Sequence, residues 1–304
     1  MLVVLGTIAP IFLIIVTGFG LRRIDPFGAT TWAPLERITY YVLFPSLLFA
    51  SLSAADLSTL PVGKMAAGVI GAPVVITLTL LLIRRQIGIE GAPFTSVVQG
   101  ATRFNTYIGV PLVTAFFGSE TMALSALFIG FMVPFINIVS VWVLGRYGDG
   151  SSIKGNTASE LIRNPLILSC LAGILVNLSG LGLATPLDAL FTLLGSAAPP
   201  IGLLCAGAGL DLAAARTGRT WVLVSTSLKL LAMPGIALLL ALAIGLDELS
   251  TKVLVLFHAL PTAPSAYILA RQLGGDARLM AGILTTQTAL AAVTLPLWIA
   301  LLTK

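Results

Sequence analysis

Ionisable residues are scarce in this chain of 304 residues, since charged residues make up 10% of it and apolar residues 57%. The sequence holds one histidine and two cysteines, so few groups are available for metal binding or nucleophilic catalysis. So little polar surface cannot cover a water-soluble globule. The composition therefore predicts an integral membrane protein.

The sequence also lacks several motifs that carry chemistry. It has no G-x-x-x-x-G-K-[ST] loop, no H-E-x-x-H and no G-x-S-x-G, so neither ATP-driven transport nor a familiar intramembrane hydrolase is expected. We accordingly expect no enzyme activity, no metal site and no cofactor. The net charge of +5 comes from basic residues that stand singly or in pairs between apolar runs, which does not indicate a nucleic-acid partner. Cys170 and Cys205 lie within apolar runs, which favours buried thiols over a disulfide framework.

Long apolar runs account for most of the sequence. A helix needs about 20 predominantly apolar residues to cross the hydrocarbon of a bilayer. The runs predict an all-α polytopic membrane protein with ten transmembrane helices, at roughly 2 to 21, 34 to 55, 62 to 83, 93 to 117, 121 to 145, 164 to 182, 187 to 210, 220 to 245, 250 to 270 and 278 to 302. The lipid bilayer is therefore the first predicted partner.

The basic residues support this number of spans, because cytoplasmic loops carry the excess of lysine and arginine. One set of alternate loops holds twelve of the seventeen basic residues and the opposite set holds three, while Arg103 and Lys229 fall inside spans. We therefore predict a multi-pass protein of the plasma (inner) membrane with both termini extracytoplasmic. No basic residue precedes the first apolar run, which favours a first span over a cleaved signal peptide.

The longest predicted linker, residues 149–163, is cytoplasmic and divides the spans five and five. It separates a first five-helix repeat at 1–148 from a second at 164–304, within one membrane domain. A shift of 156 residues pairs Thr95 with Thr251, Thr106 with Thr262 and Glu120 with Asp276. Such matches are few, and chance similarity between apolar segments competes with a true repeat. A true repeat of five spans would place the halves in opposite orientation, as in many secondary transporters.

Two of the predicted spans contain residues that a continuous helix in lipid would avoid. In the fourth span these residues lie in the segment from Ala101 to Pro111, and in the ninth span they lie in the segment from His258 to Tyr267. Unpaired backbone groups at bilayer depth are tolerated only where they are buried in protein or line a water-filled cavity. Both segments are therefore candidate sites, although simple kinking at the prolines is an alternative.

Arg103 lies roughly 12 Å into the fourth span and needs a partner or a wet cavity. Its planar guanidinium could bind a carboxylate substrate. Alternatively, it could snorkel or cap carbonyls freed by the break. Lys229 lies near the middle of the eighth span, with no acidic residue at comparable depth. It could neutralise an anion, stand in for a coupling cation, lose its proton on burial, or bond to unwound carbonyls.

The remaining candidates are polar residues and prolines in or near the interruptions. We expect Asn105, Thr106 and Tyr107 to face Thr262, Ser265 and Tyr267 where the two segments meet, with half-helix N-termini that suit an anion. Asn137 and Gln287 could compensate charge or couple an ion, or they could simply bond between helices. We expect the threonines around Gln287 to make such structural bonds, and His258 to pack rather than relay protons.

Several motifs in the chain resemble those of the auxin efflux carrier (AEC) superfamily, especially its prokaryotic malate or malonate permease-like members. They are Leu35-Glu36-Arg37 leading to Tyr41-Val42-Leu43-Phe44-Pro45, Arg103-Phe-Asn105-Thr-Tyr107-Ile-Gly109-Val-Pro111, Asn164-Pro165-Leu166-Ile167, Lys229-Leu-Leu followed by Pro234, and Ala259-Leu-Pro261-Thr-Ala with Ala270-Arg-Gln272. The resemblance covers nearly the whole chain.

This resemblance implies two inverted five-helix repeats whose fourth and ninth helices cross at their breaks, as in bile-acid symporters and sodium/proton antiporters. It also implies an elevator mechanism, often within a homodimer. Plant PIN-type relatives bind auxin, an organic anion, beside the crossover. Carried over to this chain, Asn105, Pro111 and Pro261 with its neighbours, including Pro264, would line the site.

Together these observations predict a secondary transporter of a small organic anion, either a mono- or a dicarboxylate. The predicted binding residues are Arg103, Asn105, Thr106, Tyr107, Pro111, Pro261, Thr262, Pro264, Ser265 and Tyr267, with Lys229, Asn137 and Gln287 in charge compensation or coupling. The sequence does not decide between transport coupled to Na⁺ or H⁺ and uniport without a coupled ion. The alternative function is a membrane subunit that senses a ligand without transporting it.

Overall fold

A computed structural model describes residues 2–28, 30–55, 60–149, 164–180, 182–216 and 218–303. Within these ranges the chain forms helices and connecting turns, without a strand. The predicted linker 149–163 lies outside the described residues except for Asp149. The structure therefore describes the helices of the two predicted repeats but not the linker between them.

Fourteen α-helices and two π-helical segments make up most of the described chain. The α-helices are α1 (Leu2–Ile24), α2 (Trp32–Ile38), α3 (Phe44–Ser53), α4 (Val62–Ile83), α5 (Gly91–Thr102), α6 (Thr106–Phe117), α7 (Thr121–Tyr147), α8 (Pro165–Ser179), α9 (Thr185–Ala208), α10 (Arg219–Ser227), α11 (Met233–Ala243), α12 (Glu248–Ala259), α13 (Ser265–Gln272) and α14 (Ala277–Leu302). The π-helical segments are Thr39–Leu43, which joins α2 to α3, and Leu228–Ala232, which joins α10 to α11.

Six helices of the described chain are long and apolar enough to cross a membrane. They are Gly6–Ile24, Val62–Ile83, Thr121–Tyr147, Thr185–Ala208, Arg219–Ala243 and Ala277–Leu302. These helices confirm the prediction of an all-helical polytopic membrane protein. The other four predicted spans coincide with helices that are short, as α8 is, or that are divided into α2 and α3, α5 and α6, or α12 and α13.

Each π-helical segment is followed two residues later by a proline, Pro45 in one case and Pro234 in the other. A proline has no N–H and cannot donate to the carbonyl four residues before it. At Pro234 that carbonyl belongs to Leu230, and the indole Nε1 of Trp298 donates to it over 2.9 Å. A side chain of α14 thus satisfies the carbonyl beside Lys229 and fixes the helix that carries this lysine.

Replacing Trp298 with phenylalanine should lower the thermal unfolding midpoint by about 2 to 6 °C. The Leu230 carbonyl would lose its donor, and an unpaired buried polar group costs roughly 1 to 3 kcal/mol. Trp142→Phe is the matched control, because the Trp142 side chain is 52% exposed. Equal midpoints for the two variants would show that the indole bond does not stabilise this helix.

Close packing of α9 against its neighbours depends on glycine at two positions. A Cβ atom at Gly207 would lie 1.9 Å from the carbonyl oxygen of Ile15 on α1. A Cβ atom at Gly202 would lie 2.4 Å from the ring of Tyr107, the second residue of α6. Only glycine allows such approaches, so α9 packs directly on α1 and on the start of α6.

Candidate functional site

The first interruption separates α5 from α6 by three residues, Arg103, Phe104 and Asn105. Arg103 and Asn105 both have extended backbone angles, with ψ of 162° and 100° respectively. The Asn105 side-chain oxygen accepts a hydrogen bond from the Tyr107 N–H at 3.0 Å and caps α6. The ring of Phe104 packs edge-on against Phe128 at a centroid distance of 5.2 Å. The break is therefore a defined backbone conformation held by a helix cap and an aromatic contact.

The second interruption separates α12 from α13 by residues 260–264, which include Pro261 and Pro264. These prolines have no N–H and so reduce the number of backbone donors that the break leaves unpaired. The N–H of Thr262 does need an acceptor, because this residue is fully buried. It donates to the side-chain oxygen of Gln287 on α14 at 2.9 Å.

Gln287 contacts the second interruption, the last turn of α5 before the first interruption, and the helix that leads to Lys229. Besides accepting from Thr262, its amide nitrogen donates to the Gly100 carbonyl at 2.9 Å and to the Ser225 carbonyl at 3.4 Å. Gly100 lies in the last turn of α5, and Ser225 lies on α10. One fully buried amide thus ties α5, α10 and the second break to α14.

Arg103 joins the first interruption to the second. One guanidinium nitrogen donates to the Asn137 side-chain oxygen at 3.1 Å and to the Ser140 hydroxyl at 3.2 Å. The other terminal nitrogen donates to the hydroxyl of Ser265, the first residue of α13, at 3.2 Å. All three acceptors are neutral, and Arg103 makes no ion pair within the described part of the chain. Its Nε is buried and has no hydrogen-bond partner there.

A cavity of about 880 Å³ opens beside this arginine. The first residues of two helices line it, Thr106 and Tyr107 of α6 and, at the start of α13, Pro264 and Ser265. Helix N-termini carry a partial positive charge from their unpaired N–H groups. Arg103 and these two helix ends therefore make one wall of the cavity positive.

Another part of the cavity wall comes from residues that the sequence analysis did not assign to the site. Tyr40 lines the cavity and accepts a hydrogen bond from the side-chain nitrogen of Asn164 at 3.2 Å. The Asn164 oxygen caps α8 by accepting from the Leu166 N–H at 3.0 Å. Glu36 and Arg37 also line this cavity. The signal that could have identified them was the Leu35-Glu36-Arg37 motif, together with Tyr40 three residues after Arg37 on a helical segment.

The predicted binding residues divide into two groups in the structure. Arg103, Thr106, Tyr107, Asn137, Pro264 and Ser265 line the cavity. The others lie outside its lining, and they are Asn105, Pro111, Pro261, Thr262, Tyr267, Lys229 and Gln287. The side-chain nitrogen of Asn105 and the hydroxyl of Thr262 are buried without a hydrogen-bond partner among the described residues.

Lys229 is fully buried in the π-helical segment between α10 and α11. Its Nζ makes no hydrogen bond to the described residues. His258, in the last turn of α12, is also fully buried and packs edge-on against Phe128 at 5.0 Å between ring centroids. Within the described ranges, no three histidine, cysteine, aspartate or glutamate residues are grouped as a metal site would require.

Comparison with known proteins points to membrane transport. Residues 151–299 match the family described as membrane transport protein. Over 299 residues the chain is 26% identical to an uncharacterized transporter of Methanothermobacter thermautotrophicus, and the match covers 96% of each chain. Both comparisons name transport, and neither names a substrate.

Proposed function

We propose that the chain is a secondary transporter or facilitator of a small organic anion, because its motifs resemble the auxin efflux carrier (AEC) superfamily and both comparisons name membrane transport. The cavity beside Arg103 is the substrate site in this proposal. One observation carries it, namely that a half-buried arginine with only neutral hydrogen-bond partners and the N-termini of α6 and α13 meet at a single cavity. A carboxylate would supply the negative charge that these groups lack.

The lining of the cavity favours a monocarboxylate with an apolar body. One half-buried cation, Arg103, lines the cavity together with aromatic and aliphatic residues that include Phe44, Phe104 and Ile136. Arg37 could meet a second carboxylate, but Glu36 lines the same cavity beside it and would repel one. A volume of about 880 Å³ is also generous for a compact dicarboxylate such as malonate.

The proposed mechanism is alternating access by an elevator movement. In this proposal the predicted ten spans form two inverted repeats, at 1–148 and 164–304, whose broken helices α5/α6 and α12/α13 cross at the site. The hydrogen bonds of Arg103 and Gln287 support this arrangement, because they link the two breaks to each other and to α14. Arg37 lines the cavity and belongs to the loops predicted as cytoplasmic, which supports a state that loads from the cytoplasm. A homodimer is part of the same proposal.

In this proposal the amine of Lys229 takes the place of a coupling cation. It lies on a segment next to α10, whose Ser225 carbonyl is bound by Gln287, so the lysine is tied to the same body as both breaks. Transport would then need neither Na⁺ nor H⁺ as a coupled ion.

Replacing Lys229 with methionine should raise the thermal unfolding midpoint by a few degrees and reduce anion uptake. An amine that is buried without a partner is costly, whereas methionine fills a similar volume without a polar group. Thermal unfolding and uptake into proteoliposomes, measured on the same preparation, test both expectations. A lower midpoint would mean that the amine has a stabilising partner, and wild-type uptake would remove Lys229 from the mechanism.

The proposed function can be tested with the purified protein in proteoliposomes. We would measure uptake and charge movement for a series of carboxylates that varies from malonate to aromatic and branched monocarboxylates, with and without Na⁺ and pH gradients. The expected result is saturable uptake of an apolar monocarboxylate without either gradient. Absence of transport for every carboxylate by folded protein would contradict the proposal and favour a ligand sensor.

A further inference from the structure

An apolar groove of about 340 Å³ lies between α4 and α10, away from the cavity beside Arg103. Ile76, Leu80 and Ile83 form its wall on α4, and Trp221 and Val224 form its wall on α10. Two threonines, Thr79 and Thr220, supply the hydroxyl groups of an otherwise apolar lining. The groove is shaped by two helices that run side by side and leave a gap between them.

This groove faces the hydrocarbon of the bilayer. Both of its helices belong to segments that are long and apolar enough to cross a membrane. Large apolar side chains on either side of it are more than half exposed, as Leu78 and Leu82 of α4 and Leu223 of α10 show. In a membrane protein such exposed leucines contact lipid chains, so a chain can enter the groove from the side.

Two arginines stand at one end of the groove. Arg85 lies between the lining residues Ile83 and Ile87, and Arg219 immediately precedes the lining residue Thr220. Both side chains are exposed, and neither makes a hydrogen bond or ion pair with the described residues. The neighbouring Arg84 differs, because it is held by Glu90 at 3.9 Å and lies over the Tyr147 ring.

The same end also carries Trp221, which is partly buried in the groove wall. Tryptophan is enriched at the depth of lipid headgroups, and basic pockets between transmembrane helices bind anionic headgroups. The apolar groove therefore ends at the depth where a lipid headgroup would lie, and the two exposed side chains there, Arg85 and Arg219, are positively charged.

We propose that this groove binds one anionic phospholipid, with an acyl chain between α4 and α10 and the headgroup phosphate on Arg85 and Arg219. The site is distinct from the substrate cavity, and the inference does not depend on the identity of the substrate. A zwitterionic lipid fits the groove equally well but gains less from the two arginines. The preference for an anionic headgroup is thus the property that the structure assigns to these residues.

The test uses tryptophan quenching by lipids with brominated acyl chains. The full-length protein is reconstituted in phosphatidylcholine, and brominated phosphatidylglycerol or brominated phosphatidylcholine is added in increasing mole fraction. The contribution of Trp221 is obtained by subtracting the signal of a Trp221→Phe variant. We expect phosphatidylglycerol to be preferred at this site by about fivefold for each arginine.

The double variant Arg85→Gln/Arg219→Gln should lose this preference and quench equally with both lipids. The control is Arg271→Gln/Arg278→Gln, which removes the same charge from two exposed arginines outside the groove and should keep the preference. Equal quenching by the two lipids in the wild type would overturn the proposal. So would an equal loss in the control variant, or a lipid preference that survives in the signal of Trp221→Phe.

Discussion

Replacing Arg103 with glutamine is expected to raise the KM for a transported carboxylate by about ten- to a hundredfold. Charge-assisted hydrogen bonds contribute roughly 1.5 to 3 kcal/mol, and the three acceptors of Arg103 leave its charge uncompensated in the absence of substrate. Glutamine can still form a hydrogen bond with Asn137 or Ser265, so part of the hydrogen bonding between the two breaks is retained. The measurement is the concentration dependence of uptake into proteoliposomes.

Two further variants make this prediction specific. Arg37→Gln removes a charge from the same cavity, but Arg37 is exposed, so we expect its effect on KM to be about twofold or less. Arg103→Lys keeps the charge and loses the planar fork that reaches Asn137 and Ser265 together, so its KM should be intermediate. A wild-type KM in a folded Arg103→Gln protein would exclude Arg103 from the substrate site.

Replacing Gln287 with leucine is expected to lower the rate of uptake at saturation by more than tenfold and the unfolding midpoint by at least about 4 °C. Leucine would leave the Thr262 N–H and the Gly100 carbonyl unpaired, and each buried unpaired group costs roughly 1 to 3 kcal/mol. The loss would also weaken the connection between the two breaks, although the bond from Arg103 to Ser265 would remain. Uptake kinetics and thermal unfolding are measured on the same samples.

The neighbouring Thr288 provides the matched control. Its hydroxyl donates to the Leu284 carbonyl of its own helix at 2.8 Å, so Thr288→Val changes a buried polar residue of α14 without touching either break. Gln287→Glu retains an acceptor for Thr262 but has no donor for Gly100, and we expect it to be intermediate in rate. If Gln287→Leu and Thr288→Val transport alike, the amide does not position the breaks.

The composition and the order of the apolar runs were sufficient to predict a polytopic helical membrane protein. Hydropathy is a property of consecutive residues, and a helix in lipid pairs its backbone within itself, so this information is local. The same reasoning located the interruptions, because Asn105, Pro111 and Pro261 stand in apolar surroundings. The structure ends α5 at Thr102 and α12 at Ala259, close to Asn105 and Pro261, whereas Pro111 lies within the continuous helix α6 and does not interrupt it.

The composition of the cavity could not be predicted in this way. The sequence grouped Arg103 with Lys229 as charges at depth, whereas only Arg103 lines the cavity. Glu36, Tyr40 and Asn164 supply another part of its wall, and they come from two distant parts of the chain, since Asn164 caps α8 whereas the other two lie between Trp32 and Leu43. A side chain's direction around a helix axis depends on which neighbours that helix packs against, and hydropathy does not encode these neighbours.

The sequence by itself determined the membrane class of the protein and the places where two helices break. The tertiary structure alone decided which groups satisfy those breaks, such as Gln287 for Gly100, 187 residues apart in the chain. It also decided that the indole N–H of Trp298 donates a hydrogen bond to the Leu230 carbonyl. The physical reason is that a buried donor or acceptor must be paired, but its partner is chosen by helix packing in three dimensions.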